Sequence, residues 1–88
     1  MRRGQLENGF EFEINEEALD DMELLDDMAE AEGGNPFSLS KVMLKVLGKE
    51  QRDRLYDHLR TESGRVPIEA ATTALADIMN AAGEEGKN

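Results

Sequence analysis

The chain has no cysteine and no tryptophan, and its 88 residues include one histidine, one tyrosine, three phenylalanines and two prolines. Without cysteine, neither a disulfide framework nor a thiolate metal site is available. A single histidine, His58, leaves a histidine-based zinc site dependent on carboxylates or a second chain. So few aromatic rings make a poor stacking platform for nucleic-acid bases. No apolar run approaches the roughly 20 residues of a membrane span. Arg2-Arg3 is not followed by the apolar stretch of an export signal. One soluble, cytoplasmic domain with no membrane partner is expected.

What the chain has in excess is acid, for a formal net charge of −10. The acid is concentrated at the front. Residues 1–40 hold twelve Asp and Glu against two Arg, whereas residues 41–65 hold seven Lys and Arg against four acids. Phosphate backbones would be repelled by the first half, so direct nucleic-acid binding is not expected. Acid on this scale serves solubility as the solvated face of a helix. It could also dock on a basic partner, or on the basic middle of another copy.

Residues 1–8 are polar and read as a flexible N-terminus. In Gly9-Phe-Glu-Phe-Glu-Ile14 the apolar residues Phe10, Phe12 and Ile14 alternate with Glu11 and Glu13, which is strand periodicity. One strand is not stable alone. It is expected either as an arm lying on the helices or as a strand pairing with another molecule. Asn15 suits an N-cap, and a first helix is predicted over 16–31. Its apolar line is Ala18, Met22, Leu25 and Ala29, broadened by Leu19, Leu24 and Met28.

Gly33, Gly34 and Asn35-Pro36 make a turn. The most complete helical sentence in the chain follows. Ser38 or Ser40 can cap it, and Phe37 can staple its start. Leu39, Val42, Met43, Val46 and Leu47 form one apolar stripe, and Gly48 closes it. This second helix, 38–47, is expected at the centre of the fold. A third, 49–62, has a narrow line of Leu55 and Leu59 beside Tyr56 and His58. Pro67 opens a fourth, 67–82, with the stripe Ile68, Ala71, Leu75, Ile78, Met79 and Ala82. Residues 83–88 read as a disordered polar tail. The expected architecture is all-α, a small bundle of about four helices with an N-terminal extended arm, in one domain over 9–82.

No motif nominates a catalytic residue, a cofactor site or a metal site. Gly48-Lys49 lies between two helices and lacks the rest of a phosphate-binding loop. No base stands beside a nucleophile, and the paired acids of the first helix lack the Gly-centred alternation of a calcium loop. Acyl carrier proteins are also small, acidic and four-helical, and Ser38-Leu39 sits in about the place of their modified serine. Phe37 stands where the carrier motif has Asp, and Lys41 and Lys45 make the helix basic, so two defining positions argue against a carrier.

The order of features resembles that of the small tail assembly chaperones of long-tailed phages. The similar parts are Gly9-Phe-Glu-Phe-Glu-Ile14, the acidic Ala18-Leu-Asp-Asp-Met-Glu-Leu-Leu25, the turn Asn35-Pro-Phe37, the lysine-bearing helix ending Val46-Leu-Gly48, and Gly64-Arg-Val-Pro-Ile-Glu-Ala70. Together they span most of residues 9–82. The resemblance implies a non-enzymatic role. Such chaperones bind the tape measure protein, keep its long helices soluble, help recruit tail tube subunits around it, and are absent from the finished virion. It also implies a possible longer product made by frameshifting, with residues 83–88 as a natural junction.

Contact residues expected on this reading are Phe10 and Phe12 in the arm, Asp20, Asp21, Asp26 and Asp27 on the acidic first helix, and Lys41 and Lys45 on the second. Adaptable Met22, Met28, Met43 and Met79 suit either a core or a surface meeting apolar partners. Copies could self-associate, acid half to basic middle. The competing function is a small acidic regulator that mimics nucleic acid and occupies a basic protein.

Overall fold

The computed structural model describes residues 2–86, with side chains to residue 81. A two-stranded antiparallel sheet opens the chain. Strand β1 (Arg2–Gln5) pairs with β2 (Glu11–Ile14), in the register Arg2 with Ile14 and Gln5 with Glu11. Asn8 closes the hairpin by accepting the Phe10 amide on Oδ1 at 3.0 Å. The alternation expected of Phe10, Phe12 and Ile14 is present, and all three are buried. The partner was not expected. Residues 2–5 form a strand rather than a flexible terminus, so the all-α expectation becomes a mostly α fold with a small sheet. Met1 lies outside the described residues. Gly4 makes the pairing possible, because the Phe12 ring lies where a Cβ would stand.

Four helices follow: α1 (Glu16–Leu19), α2 (Met22–Glu32), α3 (Pro36–Leu59) and α4 (Ile68–Gly86). The predicted first helix is two. Asp20 leaves helical geometry (φ −97°, ψ 63°), and Asp21 turns extended and caps α2 by accepting from the Glu23 amide at 2.9 Å. A short carboxylate that bonds the backbone locally favours a cap over a helix interior. The restart changes which side is inside. Leu24 is buried and Leu19 and Met28 are half-buried, whereas Met22 and Leu25 face solvent.

Helix α3 begins earlier than expected. Asn35, not Ser38 or Ser40, is the N-cap, accepting from the Phe37 amide at 3.1 Å, and Pro36 takes the first helical position. Ser38 lies within the first turn, fully buried, and donates from Oγ to Glu30 Oε2 at 2.8 Å. This ties the end of α2 to the start of α3. The staple role fails for Phe37, which stays 80% exposed.

The predicted second and third helices meet at Gly48, where φ 79° and ψ 165° bend α3 into a 36–47 half and a 49–59 half. The second half ends at Leu59 rather than Glu62, with Arg60 as its cap. Helix α4 runs on through Gly83 to Gly86, beyond the predicted end at 82; Lys87 and Asn88 of the predicted tail lie outside the described residues.

The core forms where the sheet, both halves of α3 and α4 converge. It contains Phe12, Ile14, Leu24, Val42, Met43, Val46, Leu47, Leu55, Leu75 and Ile78. The stripe on the first half of α3 is central, as the sequence suggests. Gly48 is required by its backbone and not by space, since nothing lies within 4 Å of the Cβ position. Gly48→Ala is therefore expected to cost about 1–3 kcal/mol of strain and to lower the thermal midpoint by about 10 °C. D-Alanine at 48, introduced by synthesis, should keep the midpoint at or above wild type. If L- and D-alanine destabilise equally, the bend is not what demands glycine.

Candidate protein-binding surface

The expected contact residues do not converge. Phe10 and Phe12 are core residues, 5% and 4% exposed, and so are corrected out of any contact surface. Asp20 ends α1 and Asp21 caps α2. Asp26 is exposed. Asp27 reaches the neighbouring helix and pairs with Lys45 at 2.8 Å. That hydrogen bond holds the Lys45 ammonium above the usual lysine range, against some desolvation, with the Asp27, Glu23 and Asp21 charges adding. Lys41 is exposed and has no ion-pair partner among the described residues.

Much of the basic middle is engaged within the chain. Lys49 reaches Asp53 at 2.9 Å, one helical turn on, and Arg52 shares that carboxylate. The Lys49 hydrogen bond, ahead of the Arg52 contact, holds the Asp53 carboxyl below the usual range. Arg60 pairs with Asp57 at 3.0 Å. Arg54 lies over the Phe10 ring at 5.9 Å and Arg52 over Tyr56 at 5.7 Å. His58 meets the Asn8 carbonyl through Nε2 at 2.9 Å and tilts against Phe10, so it fastens the hairpin turn to α3.

The surface feature that the charges do not explain is apolar. Phe37 is 80% exposed and Ile68 64% exposed. Between the beginnings of α3 and α4 runs a groove of about 210 Å³, lined by Pro36, Leu39, Met43, Tyr56, Val66, Ile68 and Ala71, with Ser40 at its side. Helical period explains the arrangement. Pro36, Leu39, Ser40 and Met43, at i, i+3, i+4 and i+7, turn one face of α3 to the groove. Phe37, Lys41 and Leu44, at i, i+4 and i+7, turn another exposed face outward. The groove is smaller than the 300 Å³ or more of a small-molecule site. It has room for the side chains of a partner, not for a whole ligand.

A larger depression, about 860 Å³, lies between the hairpin and the bend at Gly48. Its walls carry Arg3, Glu11, Glu13, Lys49, Glu50 and Arg54, a mixture of signs. Arg3 pairs with Glu13 at 2.8 Å. With its charges balanced and few apolar anchors, it offers less to a protein partner than the smaller groove does.

Phe37 and Ile68 are the surface residues that sequence reading missed. Their signal was present in the Asn35-Pro36 pair, which suits a cap and first helical position and would have rotated Phe37 outward. Among the described residues, no group of three or more His, Cys, Asp or Glu side chains converges as a metal site would require, and no helix is long and apolar enough to cross a membrane. Comparison with known proteins finds no matching family model, no matching curated protein and no matching solved structure.

Proposed function

We propose that the chain is a non-catalytic protein-binding module, and that it acts as a tail assembly chaperone of a long-tailed phage in the bacterial cytoplasm. The observation that carries the binding role is two large exposed apolar side chains, Ile68 in the wall of the groove and Phe37 on another exposed face of α3. The occupant we assign is an amphipathic helix, presenting side chains at i, i+3 and i+4 to the groove. Lys41, between Phe37 and Leu44, would meet an acidic residue flanking the apolar stripe of that helix. A tape measure protein, built of long helices that aggregate when exposed, is such a client. Its identity, the recruitment of tail tube subunits and the absence from the virion rest on the sequence resemblance. The acidic-regulator alternative has less support, because Asp21 is engaged as a cap and Asp27 in an ion pair.

The test is co-expression with a tape measure protein from the same genome, comparing the wild type with Phe37→Ser/Ile68→Ser. Both residues are exposed, so the variant should fold, which circular dichroism checks. Wild type is expected to keep the client soluble and to co-elute with it in low and high salt. The variant should bind at least about tenfold more weakly, since each lost apolar contact contributes on the order of 1 kcal/mol or more. A client that is insoluble with either protein sinks the chaperone role. Equal capture by both proteins moves the contact away from the groove.

A further inference from the structure

We propose that the outer edge of β1 is a strand-pairing site for a second copy of this chain. The pairing of β1 with β2 decides which backbone groups face outward. Antiparallel strands alternate hydrogen-bonded and non-bonded pairs. The Leu6 amide donates to the Phe10 carbonyl at 2.9 Å, continuing the ladder beyond β1. Stepping back by two makes Gly4 with Phe12, and Arg2 with Ile14, the bonded pairs. The backbone groups of Arg3 and Gln5 then point away from β2, as do those of Glu11 and Glu13.

The other edge confirms the phase. The Glu13 amide and carbonyl are both taken from outside the sheet by the Gln51 side chain, each at 2.7 Å. Part of the β2 edge is therefore covered. Helix α4 packs beside β1, but among the described residues no side chain is hydrogen-bonded to its outward edge. The outward N–H and C=O of Arg3 and Gln5 have no hydrogen-bond partner among the described residues, and both residues are exposed. Such an edge is a template for another strand.

Two features select a second copy over a foreign strand. The first is register. Two β1 strands paired antiparallel about Gly4 place each Arg3 opposite the other copy's Gln5, and all four outward groups per copy bond across the axis. Arg3 never faces Arg3, and glycine meets glycine at the centre. A two-fold contact of this kind is self-complementary. The second is charge. Arg3 is balanced within the chain by Glu13 at 2.8 Å and Arg2 by Glu16 at 3.2 Å, so the edge carries no net charge that would repel a copy of itself. The result is a four-stranded sheet across the dimer. It leaves the groove between α3 and α4 unchanged and does not depend on the function proposed above.

An interface this small should give a weak dimer, with a dissociation constant on the order of 10–1000 µM. Sedimentation equilibrium of the full chain, up to about 1 mM, reads it directly. Gln5→Pro removes one outward amide and keeps the backbone hydrogen bonds between β1 and β2, losing only the 3.5 Å contact of Gln5 Nε2 with the Gly9 carbonyl, and it should abolish dimerisation. Gln5→Glu places an acid opposite the other copy's Arg3 twice per dimer. It should tighten association about 2- to 30-fold at low salt, and Gln5→Lys should weaken it by a similar factor. Because both are exposed substitutions, they decide the matter even if the proline variant fails to fold. A chain that stays monomeric at 1 mM overturns the proposal. So does a dimer whose affinity ignores the charge at position 5.

Discussion

Leu55→Ala is expected to cost about 2–5 kcal/mol, the range for truncating a fully buried leucine whose cavity does not collapse. A domain of this size has about 5–15 kcal/mol in total, so the variant should lie near the edge of folding at 37 °C. Leu55 is 0% exposed, the one fully buried side chain in the 49–59 half of α3. Around it that half contributes partly buried residues, Gln51, Arg52, Tyr56 and Leu59, several of them polar. No other fully buried apolar side chain of that half is available to take over its position.

The first half of α3 is different, since Val42, Met43, Val46 and Leu47 share the load. Leu25→Ala, at a leucine 55% exposed, is the matched control and should change stability by no more than about 0.5 kcal/mol. Urea unfolding at constant m-value separates the two. If Leu55→Ala and Leu25→Ala shift the midpoint equally, the second half of α3 does not pack as described.

What could be read in the sequence depended on how densely it was written. Val42, Met43, Val46 and Leu47 repeat on one side of a helix with a glycine at its end, and they are the buried centre of the fold. Phe10, Phe12 and Ile14 alternate over too short a span to be anything but a strand. Their partner was illegible because the inward residues of β1 are Arg2 and Gly4, neither an apolar signal. Gly4 contributes by having no side chain under the Phe12 ring.

The break between α1 and α2 was hidden for another reason. Asp20 and Asp21 belong equally well to a solvated helix face and to a cap, and only packing decides between them. Leu24 and Leu25 differ by 100° of helical rotation, so that restart sends one inward and leaves the other in water. The exposed Phe37 has the same origin. Moving the cap from Ser38 to Asn35 carries Phe37 from the chain before the helix into its first turn, on the side away from the core. A few residues of uncertainty at helix ends cost little in the architecture and most of the information about the surface.

Gln51→Leu is expected to destabilise the fold by about 2–4 kcal/mol although it exchanges side chains of similar size, because it removes a polar clamp. Gln51 Oε1 accepts from the Glu13 amide at 2.7 Å, and Nε2 donates to the Glu13 carbonyl at 2.7 Å and the Leu47 carbonyl at 2.8 Å. The side-chain amide thus stands in for the next strand of the sheet. It also satisfies a carbonyl just before the bend at Gly48. Leucine would take the partner from the Glu13 amide and carbonyl and remove one hydrogen bond from the Leu47 carbonyl, in a half-buried site. Each unpartnered group would cost about 1–3 kcal/mol if water were fully excluded, and less where water enters.

Gln51→Glu tests the same clamp through pH. Its carboxylate can still accept from the Glu13 amide but offers no proton to either carbonyl, and Glu50, next in sequence, and Glu13, across the contact, line the same depression. Protonation restores a donor, so the folded state should hold that proton more tightly than the unfolded chain, whose glutamate titrates near about 4.3. A folded pKa raised above the unfolded one makes stability fall as pH rises between the two. The deficit relative to wild type should therefore be smallest below about pH 4 and grow toward neutrality. Amide exchange at Glu13 should quicken in Gln51→Leu. A loss below about 0.5 kcal/mol with Glu13 protection unchanged would show that water replaces the amide and that no clamp joins β2 to α3.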